Sequence, residues 1–83
     1  MKSEEIFGQI LRTIRKKQKM SQEKLAFQSN LDRTYISMLE RGIHQPTLNS
    51  LLSLAKALDM KTSELVGLVE EEIAGGEGTT TKG

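Results

Sequence analysis

The polar side chains with the clearest chemical potential lie in the stretch SNLDRTYISMLERG, residues 29–42. If this stretch is helical, one of its sides carries Arg33, Thr34, Ser37, Met38 and Arg41, away from the apolar Ile36 and Leu39. Guanidinium and hydroxyl groups can bond the edges of bases, and an α-helix fits the width of the DNA major groove. The stretch is therefore a candidate nucleic-acid-binding helix.

Arg33 is the strongest candidate for reading a base, because a guanidinium can bond O6 and N7 of guanine together. Thr34 and Ser37 can donate or accept hydrogen bonds, and Met38 can pack against a thymine methyl group. Gln22 is the first candidate for a phosphate contact, because it opens the preceding helix at the positive end of its dipole. Further phosphate candidates are Ser21, Tyr35, Arg41 and Gln45. The alternative for each is that it is an exposed polar residue with no role in binding.

The sequence offers no support for enzymatic chemistry. It contains no nucleophile–base pair, no metal cluster and no phosphate-cradling glycine loop followed by a helix. The absence of cysteine excludes disulfides and thiolate-bound metals. His44 is the single histidine and has no acidic partner at triad spacing. We therefore expect neither an enzyme nor a metal or other cofactor.

Charge is unevenly distributed along the 83 residues, although the net charge is only +1. Residues 1–60 carry ten Lys and Arg against six Asp and Glu, whereas residues 61–83 carry two against five. Within the first part, residues 12–19 hold five basic residues and no acidic one. This run is either a solvated helix end, where cations suit the helix dipole, or a surface that meets a polyanion.

Hydrophobic spacing predicts an all-α fold with helices over about residues 3–19, 22–29, 33–41, 48–59 and 62–73. Ser21, Asp32 and Thr47 are the expected N-caps of the second, third and fourth helices. Asn30 is expected to adopt the left-handed conformation in the turn between the second and third. The inner face of the fourth helix is expected to consist of Leu48, Leu51, Leu52, Ala55 and Leu58, and the fifth helix carries Leu65, Leu68 and Val69.

These helices are expected to form one domain over residues 1–73, because a chain of this length supports one small core. Residues 74–83 are rich in Gly and Thr without an apolar anchor, so we predict a disordered tail. Glu4 and Glu5 stand where a signal peptide needs an apolar run, and no stretch is long enough to span a membrane. A cytoplasmic protein without membrane contact is therefore expected.

Two short helices joined by NLD are typical of a helix-turn-helix. The segment MSQEKLAFQSNLDRTYISMLERG resembles the phage-repressor-like (Cro/C1, XRE) DNA-binding family, and the resemblance extends over about residues 7–68. Five residues fall on the apolar positions of that family: Leu25, Ala26, Leu31, Ile36 and Leu39. Gln22 and the ending Glu40-Arg41-Gly42 match it as well, whereas Asn30 replaces its usual turn glycine. NLDRTYIS is also similar to controller proteins of restriction–modification systems.

The resemblance implies a compact five-helix, lambda-repressor-like domain that regulates transcription by binding double-stranded operator DNA. Residues 32–41 would form the recognition helix, lying in the major groove. An ion pair between Arg15 and Glu40 would tie the first helix to it. A homodimer on a two-fold symmetric operator is also implied, and no small-molecule effector is expected. Our choices for the dimer contact, at the corner of the fourth and fifth helices, are Leu58, Met60 and Val66.

The alternative function is an antitoxin-like protein that binds a partner protein as well as DNA. A neighbouring toxin gene would favour it. A neighbouring methyltransferase or endonuclease gene would favour the controller interpretation instead.

Overall fold

The computed structural model describes residues 2–77, which form five α-helices in the predicted order. They are α1 (Ser3–Lys17), α2 (Gln22–Ser29), α3 (Arg33–Glu40), α4 (Leu48–Ala57) and α5 (Thr62–Glu77). No strand occurs within residues 2–77, so the all-α prediction is confirmed. α1 ends before the predicted Lys19, because Lys19 adopts a left-handed φ of 60° that no helix can continue.

The turn between α2 and α3 has the predicted backbone conformation. Ser21 caps α2, and its Oγ accepts a hydrogen bond of 3.0 Å from the backbone N–H of Lys24. Asn30 ends the helix at φ 60° and ψ 35°, in the left-handed region. Asparagine tolerates this region better than most residues with a side chain, so it can replace glycine here at small cost.

All five helices contribute to one hydrophobic core, which consists of Phe7, Leu11, Leu25, Ala26, Ile36, Leu39, Leu54, Ala55, Leu58 and Leu65. α3 packs against α1 and α2, and α5 packs against α1 and α4. Burying these side chains is the main stabilising contribution, at about 1.5–3 kcal/mol for each large aliphatic or aromatic residue. The core therefore fixes the angle at which α3 lies on the rest of the domain.

The predicted inner face of α4 was partly wrong. Leu48 is 69% exposed and Leu52 is 48% exposed, whereas Leu54 is fully buried. α2 and α5 cover a part of the α4 surface that differs from the face predicted by the periodicity. Leu68 on α5 is also 38% exposed. Exposed apolar side chains consequently remain on α4 and α5.

The fifth helix is longer than the predicted domain boundary at residue 73 suggests. α5 continues to Glu77, so the first residues of the predicted tail are helical. The rest of that predicted tail, residues 78–83, lies outside the described residues. Among the helices described, none has the length and apolar character needed to cross a bilayer.

Candidate nucleic-acid interface

α2 and α3 form a helix-turn-helix whose inner faces are fixed by the core. Leu25 and Ala26 on α2, and Ile36 and Leu39 on α3, are all buried. Leu31, in the connecting turn, packs against the same core, and its backbone N–H donates to the carbonyl of Ala26 at 3.0 Å. The outer side of α3 is therefore turned away from the protein.

The four predicted base-reading residues come together on this outer side. Arg33 and Thr34 are exposed in the first turn of α3, and Ser37 and Met38 follow one turn later, half-buried. Within the described part of the chain, none of these four side chains makes a hydrogen bond. Their donors, acceptors and apolar surface are available to a ligand.

An ion pair holds the other end of α3. Arg15 is buried in α1, and its Nε lies 2.6 Å from Oε2 of Glu40. Its Nη2 donates to Oε1 of the same carboxylate at 3.0 Å, and its Nη1 donates to the backbone carbonyl of Met20 at 2.7 Å. The resemblance implied the carboxylate contact, but the Met20 contact was not predicted. The guanidinium thus connects α1, the α1–α2 turn and α3.

The contact with Glu40 favours the ionised form of Arg15. The hydrogen bond with Glu40, helped by its negative charge, raises the pKa of Arg15 above its ordinary value, while burial opposes the increase. A raised arginine pKa means that the contribution of the Arg15 charge to stability is present at neutral pH and is lost as the pH rises to strongly alkaline values. No buried side-chain nitrogen or oxygen in the described part of the chain lacks a hydrogen-bond partner. The charges are therefore compensated.

Gln22 joins this network, which sequence reasoning did not foresee. Its Nε2 donates to Oε1 of Glu40 at 3.1 Å, from the first position of α2. One N–H of the amide remains for an outside acceptor, since an amide nitrogen carries two. The carboxylate of Glu40 thus orients the side chain that we predicted to contact a phosphate.

The other predicted phosphate-contacting residues fall into two groups. Ser21 and Arg41 are exposed, and the Ser21 hydroxyl can still donate its proton because its oxygen serves as the cap acceptor. Tyr35 is half-buried, and its hydroxyl lies 3.0 Å from Oγ of Ser50. Gln45 is exposed and donates to Oε1 of Glu4 at 3.2 Å. Internal bonds therefore orient Tyr35 and Gln45 in the free protein.

One of the three predicted dimer-contact residues is wrong. Leu58 is only 1% exposed and belongs to the core of its own domain, so it cannot form a surface contact. Met60 is half-buried at the α4–α5 corner and packs against the core, and Val66 is 42% exposed on α5. The surface of the α4–α5 corner therefore does not include Leu58, and it is formed instead by Val66 and by exposed side chains of α4.

Phe27 on α2 is a large apolar residue that lies on the surface, where it is 84% exposed. Its ring contributes nothing to the core.

Comparisons with known proteins agree with this geometry. A family model described as helix-turn-helix matches residues 11–65. Control protein C.BamHI of Bacillus amyloliquefaciens is 47% identical over 62 residues, which cover 74% of this chain and 76% of the relative. The immunity repressor protein of Bacillus phage phi105 is 40% identical over 70 residues, covering 81% of this chain but only 49% of the repressor.

Solved structures give the same result. The restriction–modification controller protein C.AhdI from Aeromonas hydrophila superposes with a TM-score of 0.72 at 47% identity, over 75% of this chain and 94% of that one. The controller protein C.Esp1396I, solved as a tetramer in complex with its natural 35 base-pair operator, gives a TM-score of 0.79 at 34% identity, over 88% and 96%. The chain belongs to the helix-turn-helix family of the phage-repressor-like (Cro/C1, XRE) type, together with restriction–modification controller proteins and phage immunity repressors.

Proposed function

We propose that this chain is a sequence-specific, double-stranded DNA-binding transcription regulator of the restriction–modification controller kind. One observation carries the proposal: the exposed first turn of α3 presents Arg33 and Thr34 without internal partners, on a helix fixed at its other end by Arg15 and Glu40. A fixed helix with free polar groups suits direct reading of base edges. The similarity to C.BamHI and to the operator-bound C.Esp1396I supports the same function.

In this proposal α3 lies in the major groove and α2 spans the phosphate backbone. Arg33, Thr34, Ser37 and Met38 read bases, with Arg33 as the principal reader. The residues that position the protein on the phosphates are Ser21, Gln22, Tyr35, Arg41 and Gln45. The remaining amide N–H of Gln22 lies at the positive end of α2, which favours an anionic oxygen. We place this activity in the cytoplasm, where a regulator meets its operator, without a membrane partner or a small-molecule effector.

Selection from a pool of random duplexes tests the proposal directly. We expect the protein to enrich one motif with two inverted half-sites, because a two-fold dimer presents two copies of α3. Binding to the enriched duplex is expected to exceed binding to its scrambled version by about 10³-fold or more at physiological salt. Retention of every sequence with equal affinity would contradict the proposal. Exposed polar and apolar surface on α2 and α3 would then point to the antitoxin-like alternative, which the relatives do not favour.

The proposed assembly is a homodimer. Leu48 and Leu52, one helical turn apart on α4, and Val66 on α5 expose apolar side chains that the monomer does not use. Met60 lies beside Leu52 at the α4–α5 corner. Removing such side chains from water is the main driving force for a homodimer contact, whose centre is more apolar than ordinary surface.

Leu52→Lys is expected to convert the dimer into a monomer, because a desolvated charge in an apolar contact is strongly unfavourable. Sedimentation equilibrium at tens of micromolar should give about twice 9.3 kDa for the unmodified chain and about 9.3 kDa for the variant. Phe27→Ser is the matched control, since it removes a more exposed apolar side chain outside the proposed contact. The proposed interface is wrong if Leu52→Lys stays dimeric, or if Phe27→Ser dissociates as readily.

A further inference from the structure

Gly8 lies where the backbones of α1 and α3 touch without any side chain between them. A Cβ atom added at Gly8 would stand 2.3 Å from the carbonyl oxygen of Leu39 and 2.8 Å from that of Glu40. Both distances are shorter than real Cβ contacts allow. The obstructing atoms belong to the backbone of the last turn of α3, so a rotamer change cannot relieve the overlap. Any residue larger than glycine must push α3 away from α1.

Two further contacts lie along the same side of α1. Glu5 precedes Gly8 by three residues and Arg15 follows it by seven, so all three share one side of the helix. The backbone at Gly42 passes so close to Glu5 that an added Cβ would lie 3.0 Å from the Glu5 Cα. Arg15 bonds both carboxylate oxygens of Glu40. α1 therefore holds the C-terminal turn of α3 at three successive points.

The opposite end of α3 carries the free polar side chains of Arg33 and Thr34. α3 has eight residues, so its two ends are only about 10–12 Å apart and move as one rigid rod. Relief of the overlap at Gly8 requires a displacement of roughly 1 Å, the difference between 2.3 Å and an ordinary carbon–oxygen contact. A bidentate base contact fails over such a shift, because its two hydrogen bonds tolerate only a few tenths of an ångström. Flexible phosphate contacts adapt to it.

We propose that Gly8 is a positioning residue for operator recognition. Together with the Arg15–Glu40 pair, it sets the distance between α3 and α1. Gly8 touches no DNA. It acts through α3, by letting the recognition helix lie close enough to α1 for Arg33 and Thr34 to meet base edges at bonding distance. The inference rests on the proposed function, because it concerns how the same surface distinguishes its operator from other sequences.

Gly8→Ala tests the inference when compared with Gly75→Ala, the same chemical change near the end of α5, where an added Cβ meets nothing within 4 Å. Dissociation constants are measured for operator and scrambled duplexes at a temperature where circular dichroism shows each variant fully folded. We expect Gly8→Ala to weaken operator binding by about 5- to 150-fold, the range of one lost base contact, while binding to the scrambled duplex changes less than about twofold. Gly75→Ala is expected to leave both constants unchanged.

Arg15→Lys supplies a second variant in case Gly8→Ala does not fold. Lysine keeps the positive charge opposite Glu40 but cannot bond both carboxylate oxygens in the fixed geometry of arginine. It should loosen α3 without adding bulk and lower the operator-to-scrambled ratio in the folded protein. The inference is wrong if folded Gly8→Ala keeps the wild-type ratio of operator to scrambled-duplex affinity, or if it weakens binding to both duplexes equally. If only Arg15→Lys folds, the same two results for that variant overturn the inference. The proposed function is tested separately, because it is wrong if the unmodified protein binds operator and scrambled duplexes with equal affinity.

Discussion

Arg15→Ala is expected to lower the free energy of unfolding by about 3–5 kcal/mol, the cost of breaking a buried ion pair from one side. The side chains of Arg15 and Glu40 are only 9% and 4% exposed, so the remaining carboxylate would be left without its cation in a site that water barely reaches. The substitution also removes the donor to the Met20 carbonyl. Urea denaturation followed by circular dichroism measures this loss directly.

Arg12→Ala is the matched control for that measurement. Arg12 is an exposed arginine on the same helix, so its loss should change the free energy of unfolding by less than about 0.5 kcal/mol. The double variant Arg15→Met/Glu40→Leu is expected to recover much of the stability lost in Arg15→Ala, since it removes both charges at once. An Arg15→Ala protein as stable as the Arg12→Ala control would show that the pair does not hold α1 to α3.

Arg33→Ala is expected to reduce operator affinity by about 1–3 kcal/mol, because it removes a bidentate base contact. Affinity for a scrambled duplex should barely change, so the specificity ratio falls. The measurement is a titration against operator and scrambled duplexes at two salt concentrations. If Arg33→Ala weakens both duplexes equally, Arg33 anchors phosphate and the proposed base-reading face is wrong.

Arg41→Ala and Gln22→Ala are the comparison variants in the same titration. Arg41 is an exposed phosphate candidate at the end of α3, so its loss should weaken both duplexes and reduce the salt slope by about one. Gln22→Ala should also weaken both, but without changing the salt slope, because a neutral amide displaces no counterion. If none of the three substitutions affects DNA binding in a folded protein, α2 and α3 serve a protein partner instead.

The sequence alone determined the helices and the turn that joins α2 to α3, because local interactions specify both. Ser21 supplies its own cap bond, and Asn30 tolerates the left-handed turn whatever surrounds it. The helical spacing of Leu25, Ala26, Ile36 and Leu39 also predicted the inner faces of both helices. The grouping of Arg33, Thr34, Ser37 and Met38 on the opposite side of α3 followed from the same helical period.

Only the tertiary structure decided which of these faces are covered and how closely the helices approach. Periodicity groups Leu48 and Leu52 on α4 with Leu58 at its C-cap. It does not show that neighbouring helices cover Leu58 and leave the other two exposed. The bond from Gln22 to Glu40 joins residues on different helices, so no local pattern predicts it. The contact at Gly8 depends on the distance between two helix backbones. This distance is set by the packing of the whole core and cannot be predicted from the sequence of one helix.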